Sequence, residues 1–150
     1  MHNKILLPID GSEDSFCAID YCIKLLKNIK PEKIVLLHVA AIPSQLESYS
    51  GKLGAAFYKM KDQLQEYGEE ILNNAKKEII DKNIDIPIET KMIWGQPQYE
   101  IVKETEKGNY DLVIMSNRGL SGIKGFFIGS VSNYVIHHVQ CTVIIVKKRL

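Results

Sequence analysis

The sequence predicts an α/β fold: an open sheet of five parallel strands, doubly wound, with helices on both faces. Two observations carry that expectation. Short apolar runs alternate with longer stretches of helical period, the pattern of strands joined by crossover helices. Four of the five runs are nearly continuous in aliphatic, largely β-branched residues, as strands buried on both faces require. A length of 150 residues, 45% hydrophobic and 25% charged, suits one compact domain spanning 1–150, and no repeat, low-complexity tract or linker marks a second.

The first strand is expected at 3–9 (NKILLPI). A Gly-Ser-Glu-Asp-Ser cluster then offers an N-cap, so the first helix begins at Ser12 or Glu13, turns Phe16, Ile19, Ile23 and Leu26 to one face, and is over by Pro31. The second strand follows at 33–39 (KIVLLHV). Residues 40–56 (AAIPSQLESYSGKLGAA) form an unusually long connection with no assignable structure; such segments are mobile or functional, and this one is placed to flap over a ligand. A long helix at 57–82 carries Phe57, Met60, Leu64, Ile71, Ala75 and Ile79 on one stripe, with lysines and glutamates elsewhere. The third strand is read at 86–93 (IPIETKMI), and Gly95 and Pro97 turn the chain into a helix bearing Tyr99, Ile101 and Val102. A fourth strand at 111–116 (DLVIMS) runs into a loop, MSNRGLSGIKGFFIGS, holding four of the ten glycines. The last helix, from about Ser130 to Val139, aligns Val131, Tyr134, Val135 and His138, and the fifth strand is 142–147 (TVIIVK).

Charge and composition exclude several function classes. Lys and Arg number 19 against 18 acidic residues, a net charge of +1 with no basic run, which argues against nucleic-acid binding. No stretch approaches the ~20 apolar residues of a membrane span, and MHNKILLPIDG lacks a secretory core, so a cytoplasmic protein is expected. Cys17, Cys22 and Cys141 are odd in number and lack CxxC or Cys/His spacing, which fits small hydrophobes in a reducing compartment.

Open α/β sheets bind ligands beyond the carboxyl ends of their strands, where strand order reverses. After strand one, PIDGSEDS presents Asp10; after strand four, the glycine loop leads into a helix opening Gly129-Ser130-Val131-Ser132. Glycines admit backbone amides to a phosphate, the first-turn N–H groups point outward, and the helix dipole favours negative charge. The hydroxyls of Ser130 and Ser132 add donors. The same residues would also serve as plain N-caps and turns, with Asp10 capping the first helix, and spacing alone leaves both readings open. Ile123, Phe126, Phe127 and Ile128 require an apolar surface to pack on. The loop is not a Walker P-loop, because no Gly-Lys-Ser/Thr follows strand one, and not a dinucleotide fingerprint, because its glycines follow strand four. No nucleophile and base stand together: His2, His38, His137 and His138 are scattered, so slow hydrolysis is the most the sequence would support. Asp10 is the candidate to hold Mg²⁺ with phosphate oxygens.

The segments PIDGSEDS, HVA, GQP and DLVIMSNRGLSGIKGFFIGSVSNYVIHHVQCTVIIVK resemble the universal stress protein family over essentially the whole chain. The resemblance implies a Rossmann-like fold of the adenine nucleotide alpha hydrolase-like kind. It also implies binding of ATP, ADP or AMP through a pattern of Gly, two residues, Gly, nine residues, then Gly with Ser or Thr. On this sequence the second glycine is Gly119, Leu120 to Ile128 are the nine, and Gly129-Ser130 closes the motif; Ser116 stands where the first glycine belongs. A left-handed backbone at Ser116 would cost roughly 1 kcal/mol, about tenfold in affinity. Carried over, Pro8 and Ile9 wall the base pocket, Asp10 meets the adenine-ribose side, and the Val39 backbone faces the adenine edge. Met115 through Gly119 run along ribose and phosphates with Arg118 reaching toward phosphate, and Gly129, Ser130, Val131 and Ser132 donate to the phosphate chain. The implied role is a nucleotide switch or sensor in a stress response. Strand five, apolar on both faces and expected at a sheet edge, resembles the family's means of forming a homodimer, while Lys147, Lys148 and Arg149 would alternatively shield the edge. The competing function is a dimeric stress protein that works through protein contacts without nucleotide. A phosphoacceptor receiver would need an aspartate at the end of strand three, where Ile93, Trp94 and Gly95 stand, and a KH module would place its GxxG between two helices.

Overall fold

The five apolar runs form one parallel sheet in the order β3-β2-β1-β4-β5. The computed structural model describes residues 3–117 and 128–148. Its strands are β1 (Lys4–Pro8), β2 (Lys33–Ala40), β3 (Ile88–Trp94), β4 (Leu112–Ser116) and β5 (Thr142–Val146), each within two residues of the sequence reading. The helices are α1 (Glu13–Leu25), α2 (Ser44–Ser48), α3 (Ser50–Leu53), α4 (Ala55–Ile80), α5 (Pro97–Gly108) and α6 (Ser130–His138). The chain winds outward from β1 through β2 to β3, then returns to the other side of β1 for β4 and β5, so strand order reverses between β1 and β4.

Alternation along each strand divides the core in two. Ile5, Leu7, Ile34, Leu36, Leu112 and Ile114 face α1 and α4, meeting Ile19, Ile71, Ala75 and Ile79. Leu6, Val35, Leu37, Val113 and Met115 face α5 and α6, meeting Ile101 and Val135. The central strands are buried on both faces, as their aliphatic runs foretell, whereas β5, at the edge, is exposed at Thr142 and half-buried from Val143 to Val146.

Local signals account for the helix ends. Ser12 caps α1 by accepting from the Ser15 amide at 3.1 Å. Pro97 opens α5, and Asn109 closes it in the left-handed conformation at φ 51°. Gly11, at φ +85°, makes the turn between β1 and α1, a backbone conformation that demands glycine; a Cβ there would lie 2.7 Å from Ile71 Cδ1 and push that side-chain end aside. Residues 40–56, unassigned from sequence, fold into the tail of β2, the short α2 and α3 helices and the start of α4; α2 and α3 contain no buried residue. Tyr99 and His138, expected on apolar stripes, are instead exposed. They flank Tyr134 on the outer surface of α5 and α6, with Tyr99 edge-on at 5.1 Å and His138 stacked at 3.8 Å. Among the described residues, no helix is long and apolar enough to cross a membrane.

Candidate functional site

A cavity of about 420 Å³ opens beyond the carboxyl ends of β1, β2 and β4, at the point where strand order reverses. Its walls include Pro8, Ile9, Asp10, Val39, Met115, Ser116, Gly129, Ser130, Val131 and Ser132. These are all the expected site residues that the structure describes; Arg118 and Gly119 lie outside the described residues, as do Ile123, Phe126 and Phe127.

Ladder geometry explains why the crevice has polar walls. In β2 the Leu37 carbonyl accepts from the Ile9 amide at 2.8 Å, and the Ala40 carbonyl accepts from the Gly95 amide at 3.0 Å. Odd residues of β2 therefore turn their backbone groups toward β1, and even ones toward β3. Val39 faces the β1 side at the level where β1 has already ended at Pro8, so its N–H and C=O have no backbone partner there among the described residues. Next to it the His38 ring is buried, its Nδ1–H donating to the Ile9 carbonyl at 2.8 Å. That bond selects the tautomer and leaves Nε2 as an acceptor in the neutral ring.

Asp10 stands at the tip of the β1 turn. Its Oδ1 accepts from the Ser12 amide at 2.9 Å and the Ser12 hydroxyl at 2.6 Å, so the carboxylate is positioned by the same turn that caps α1. It braces the cap rather than being the cap. Asp10 is the one carboxylate among the described lining residues, and no cluster of three metal-ligating side chains occurs among the described residues.

Across the crevice, α6 begins at Gly129 with no side-chain cap, and its first backbone bond runs from the Asn133 amide to the Gly129 carbonyl at 2.9 Å. The amides of Ser130, Val131 and Ser132 consequently lack acceptors within the helix. The Ser132 hydroxyl, expected as a further donor, is instead buried and bonded back to the carbonyls of Asn117 (3.1 Å) and Gly129 (3.0 Å). The proton of a hydroxyl can serve only one direction, so this residue contributes its amide alone. Ser116 ends β4 in ordinary extended geometry; among the described non-glycine residues, positive φ occurs only at Asn83 and Asn109. The penalty expected for serine at this position does not arise.

Apart from Asn117, which lies in the stretch expected along ribose and phosphates, the remaining wall comes from residues not expected at the site. Leu64 and Tyr67 of α4 line the cavity, and of residues 40–56 only Ala40 and Ala41 do. The cover lies in the long helix, not in the connection expected to act as a flap. Leu64 sits on the apolar stripe of α4, and Tyr67 is four residues before the buried Ile71, a spacing that pointed to the same face. Asn117, just beyond β4, and Ser15 of α1 complete the lining on their sides.

The fold and crevice define a doubly wound α/β protein with a ligand-sized opening at its topological switch point. The model of the Universal stress protein family matches residues 1–147, and the chain belongs to that family. The universal stress protein YxiE of Bacillus subtilis is 31% identical over 153 residues, covering 98% of this chain and 100% of that protein. The solved structure of MJ0577 from Methanocaldococcus jannaschii superposes with a TM-score of 0.84 at 29% identity, covering 100% of this chain and 99% of that one. A universal stress protein of Arabidopsis thaliana solved with AMP bound shares the fold, with a TM-score of 0.69 at 18% identity over 98% of this chain and 92% of its own.

Proposed function

We propose that this chain is a cytoplasmic stress-response protein that binds ATP or a related adenine nucleotide in the switch-point crevice and acts as a switch or sensor. One observation carries the reading: a cavity of about 420 Å³ has, on one wall, the N–H and C=O of Val39 with no backbone partner among the described residues and, on the opposite one, the first turn of α6, which no described side chain caps. The Val39 pair complements an adenine edge, its N–H meeting ring N1 and its C=O accepting from the N6 amino group. The α6 amides complement phosphate oxygens, which carry the charge that a helix N-terminus favours. Pro8, Ile9 and Leu64 supply apolar walls between them. The AMP-bound Arabidopsis relative supports a nucleotide of this class.

Asp10 fits a role toward Mg²⁺, since that ion commonly takes one or two carboxylates and completes its shell with water and phosphate oxygens. When bound it would neutralise polyphosphate charge. Binding, not turnover, is the proposed activity, with Ser130 and Val131 holding phosphate by their amides and Asp10 bracing the sugar side. A homodimer through the β5 edge accompanies this reading, because β5 is uncharged and half-buried from Val143 to Val146.

Titration calorimetry with ATP, ADP and AMP, with and without Mg²⁺, tests the proposal. Saturable heat is expected, together with adenine nucleotide released on denaturing freshly purified protein. Gly129→Val, which sets a branched side chain over the α6 amides, should weaken binding about tenfold or more. No released nucleotide and no heat at millimolar ATP would favour the alternative, a dimer working through protein contacts alone.

A further inference from the structure

We propose that His38 is a positioning residue of this site: its imidazole takes up the Ile9 carbonyl to which the Val39 amide would otherwise donate, and so leaves that amide to the crevice. Only what the released amide then binds rests on the nucleotide reading above. The register of the two strands shows the competition. β1 and β2 run parallel with Pro8 opposite Leu37, so Ile9 stands opposite His38. In a parallel ladder such a residue donates to the carbonyl before its partner and accepts from the amide after it. Ile9 makes the first bond, its amide donating to the Leu37 carbonyl at 2.8 Å. The second would come from the Val39 amide; in its place the His38 Nδ1–H donates to the Ile9 carbonyl, also at 2.8 Å.

Burial makes the exchange of donors consequential. Ile9 is 3% exposed, and a carbonyl buried there is costly to leave without a partner. Without the imidazole, the donor that the register supplies is the Val39 amide, and pairing with it would extend the ladder by one bond along the wall of the cavity that both residues line. The imidazole is held in place from the other side. Its ring is 7% exposed, and α4 passes so close that a Cβ on Gly68 would stand 2.7 Å from its Cδ2, which leaves the ring no room to swing away from Ile9. His38 therefore acts through Ile9 and Val39. It keeps the ends of β1 and β2 joined, while Val39 retains an N–H beside its own C=O, the edge that a heteroaromatic ring with an acceptor next to an amino group completes.

Amide hydrogen exchange, resolved residue by residue by nuclear magnetic resonance, reads this device without any ligand. In the wild type the Val39 amide should exchange about tenfold or more faster than that of Leu37, which faces the same strand inside the ladder. His38→Leu keeps a branched side chain but removes the donor, so Val39 should slow to the rate of Leu37. His38→Asn sets a side-chain N–H where Nδ1 stood and should keep the fast exchange. Calorimetric titration with ATP and with 1-deaza-ATP, in which C–H replaces ring N1, reads the consequence for binding. The wild type should favour ATP about tenfold, the equivalent of one hydrogen bond. His38→Leu should bind the two alike, and His38→Asn should retain the preference. A Val39 amide as slow as Leu37 in the wild type, fast exchange persisting in His38→Leu, or slow exchange in His38→Asn would each overturn the assignment, as would a preference for ATP that survives in His38→Leu. Failure of both nucleotides to bind the wild type would remove the nucleotide reading, and the exchange rates would still decide whether His38 frees the amide.

Discussion

Glu104 shows how one buried carboxylate is made tolerable, and what that does to its neighbours. It is 4% exposed on α5, and its oxygens accept from Lys91 at 2.8 and 2.9 Å and from the Tyr110 hydroxyl at 2.9 Å. Burial, and the carboxylate that accepts its proton, raise the Tyr110 phenol well above its ordinary value of 10.0. The unfolded chain would release that proton near pH 10 while the native state keeps it, so stability contributed by the pair is full below pH 10 and declines as pH rises further. Tyr110→Phe should cost about 1–2 kcal/mol at pH 8, the value of a hydrogen bond to a charged group. The gap should close toward pH 11 in urea unfolding. Parallel pH curves for the two proteins would show that the phenol is not held protonated by folding. The places of Asp10 after strand one and of Ser130 at the opening of the helix after strand four were legible in the sequence, because the fold class already says where strands end, whereas Val39 came only with the family resemblance. His38 was not legible: it acts through the Ile9 carbonyl on another element, and no spacing along the chain reveals that meeting.

At the scale of elements, α4 both covers the core and walls the site, and Gly68 is the position that lets it do so. A Cβ on Gly68 would stand 2.7 Å from His38 Cδ2 and 2.9 Å from Met92 Sδ and Cε, so the helix backbone itself touches the side chains of β2 and β3. On an open helix face, replacing glycine by alanine would stabilise by up to about 1 kcal/mol. Here Met92 has a flexible end that can give way, but the His38 ring is held by its bond to Ile9, so overpacking should prevail. Gly68→Ala is expected to destabilise by about 1–3 kcal/mol and to weaken nucleotide binding, because Leu64 and Tyr67 ride on the same turns. A raised unfolding midpoint with unchanged affinity would show that α4 shifts freely on the sheet. The apolar stripe of α4 was legible, yet its inward face is Leu64, Gly68, Ile71 and Ala75, and a glycine leaves no apolar signal in the pattern. Residues 40–56 were illegible for a related reason: α2 and α3 bury nothing, so no periodicity records them.

The molecule as a whole has two open sheet edges, and they differ in chemistry. Strand order itself was not legible, because alternating strands and helices do not say on which side of β1 the chain returns; that β5 ends at an edge was foreseen from its position. Along β3 the edge carries Glu89, paired with Lys33, and Lys91, charges that discourage pairing with another chain. Along β5 the strand is Thr142, Val143, Ile144, Ile145 and Val146, with no charge. Of the lysines that follow, Lys148 is drawn back to Glu13 on α1, which takes its ammonium away from guarding the edge. Register identifies the backbone groups at stake. The Thr142 amide donates to Asp111 and the Val146 carbonyl accepts from Asn117, so even residues of β5 face β4 and odd residues face outward. Proline at an outward position removes an edge N–H without removing a ladder bond, and edge strands tolerate it. Val143→Pro should therefore sediment as a monomer at micromolar concentration with the far-ultraviolet dichroism of the wild type, which should sediment as a dimer. Ile144→Pro, one residue on, strips a bond from the β4 ladder and should lose folded structure by the same dichroism. A monomeric wild type, or a Val143→Pro protein that stays dimeric, would show that β5 does not join two copies, and the contrast between adjacent prolines separates loss of pairing from loss of fold.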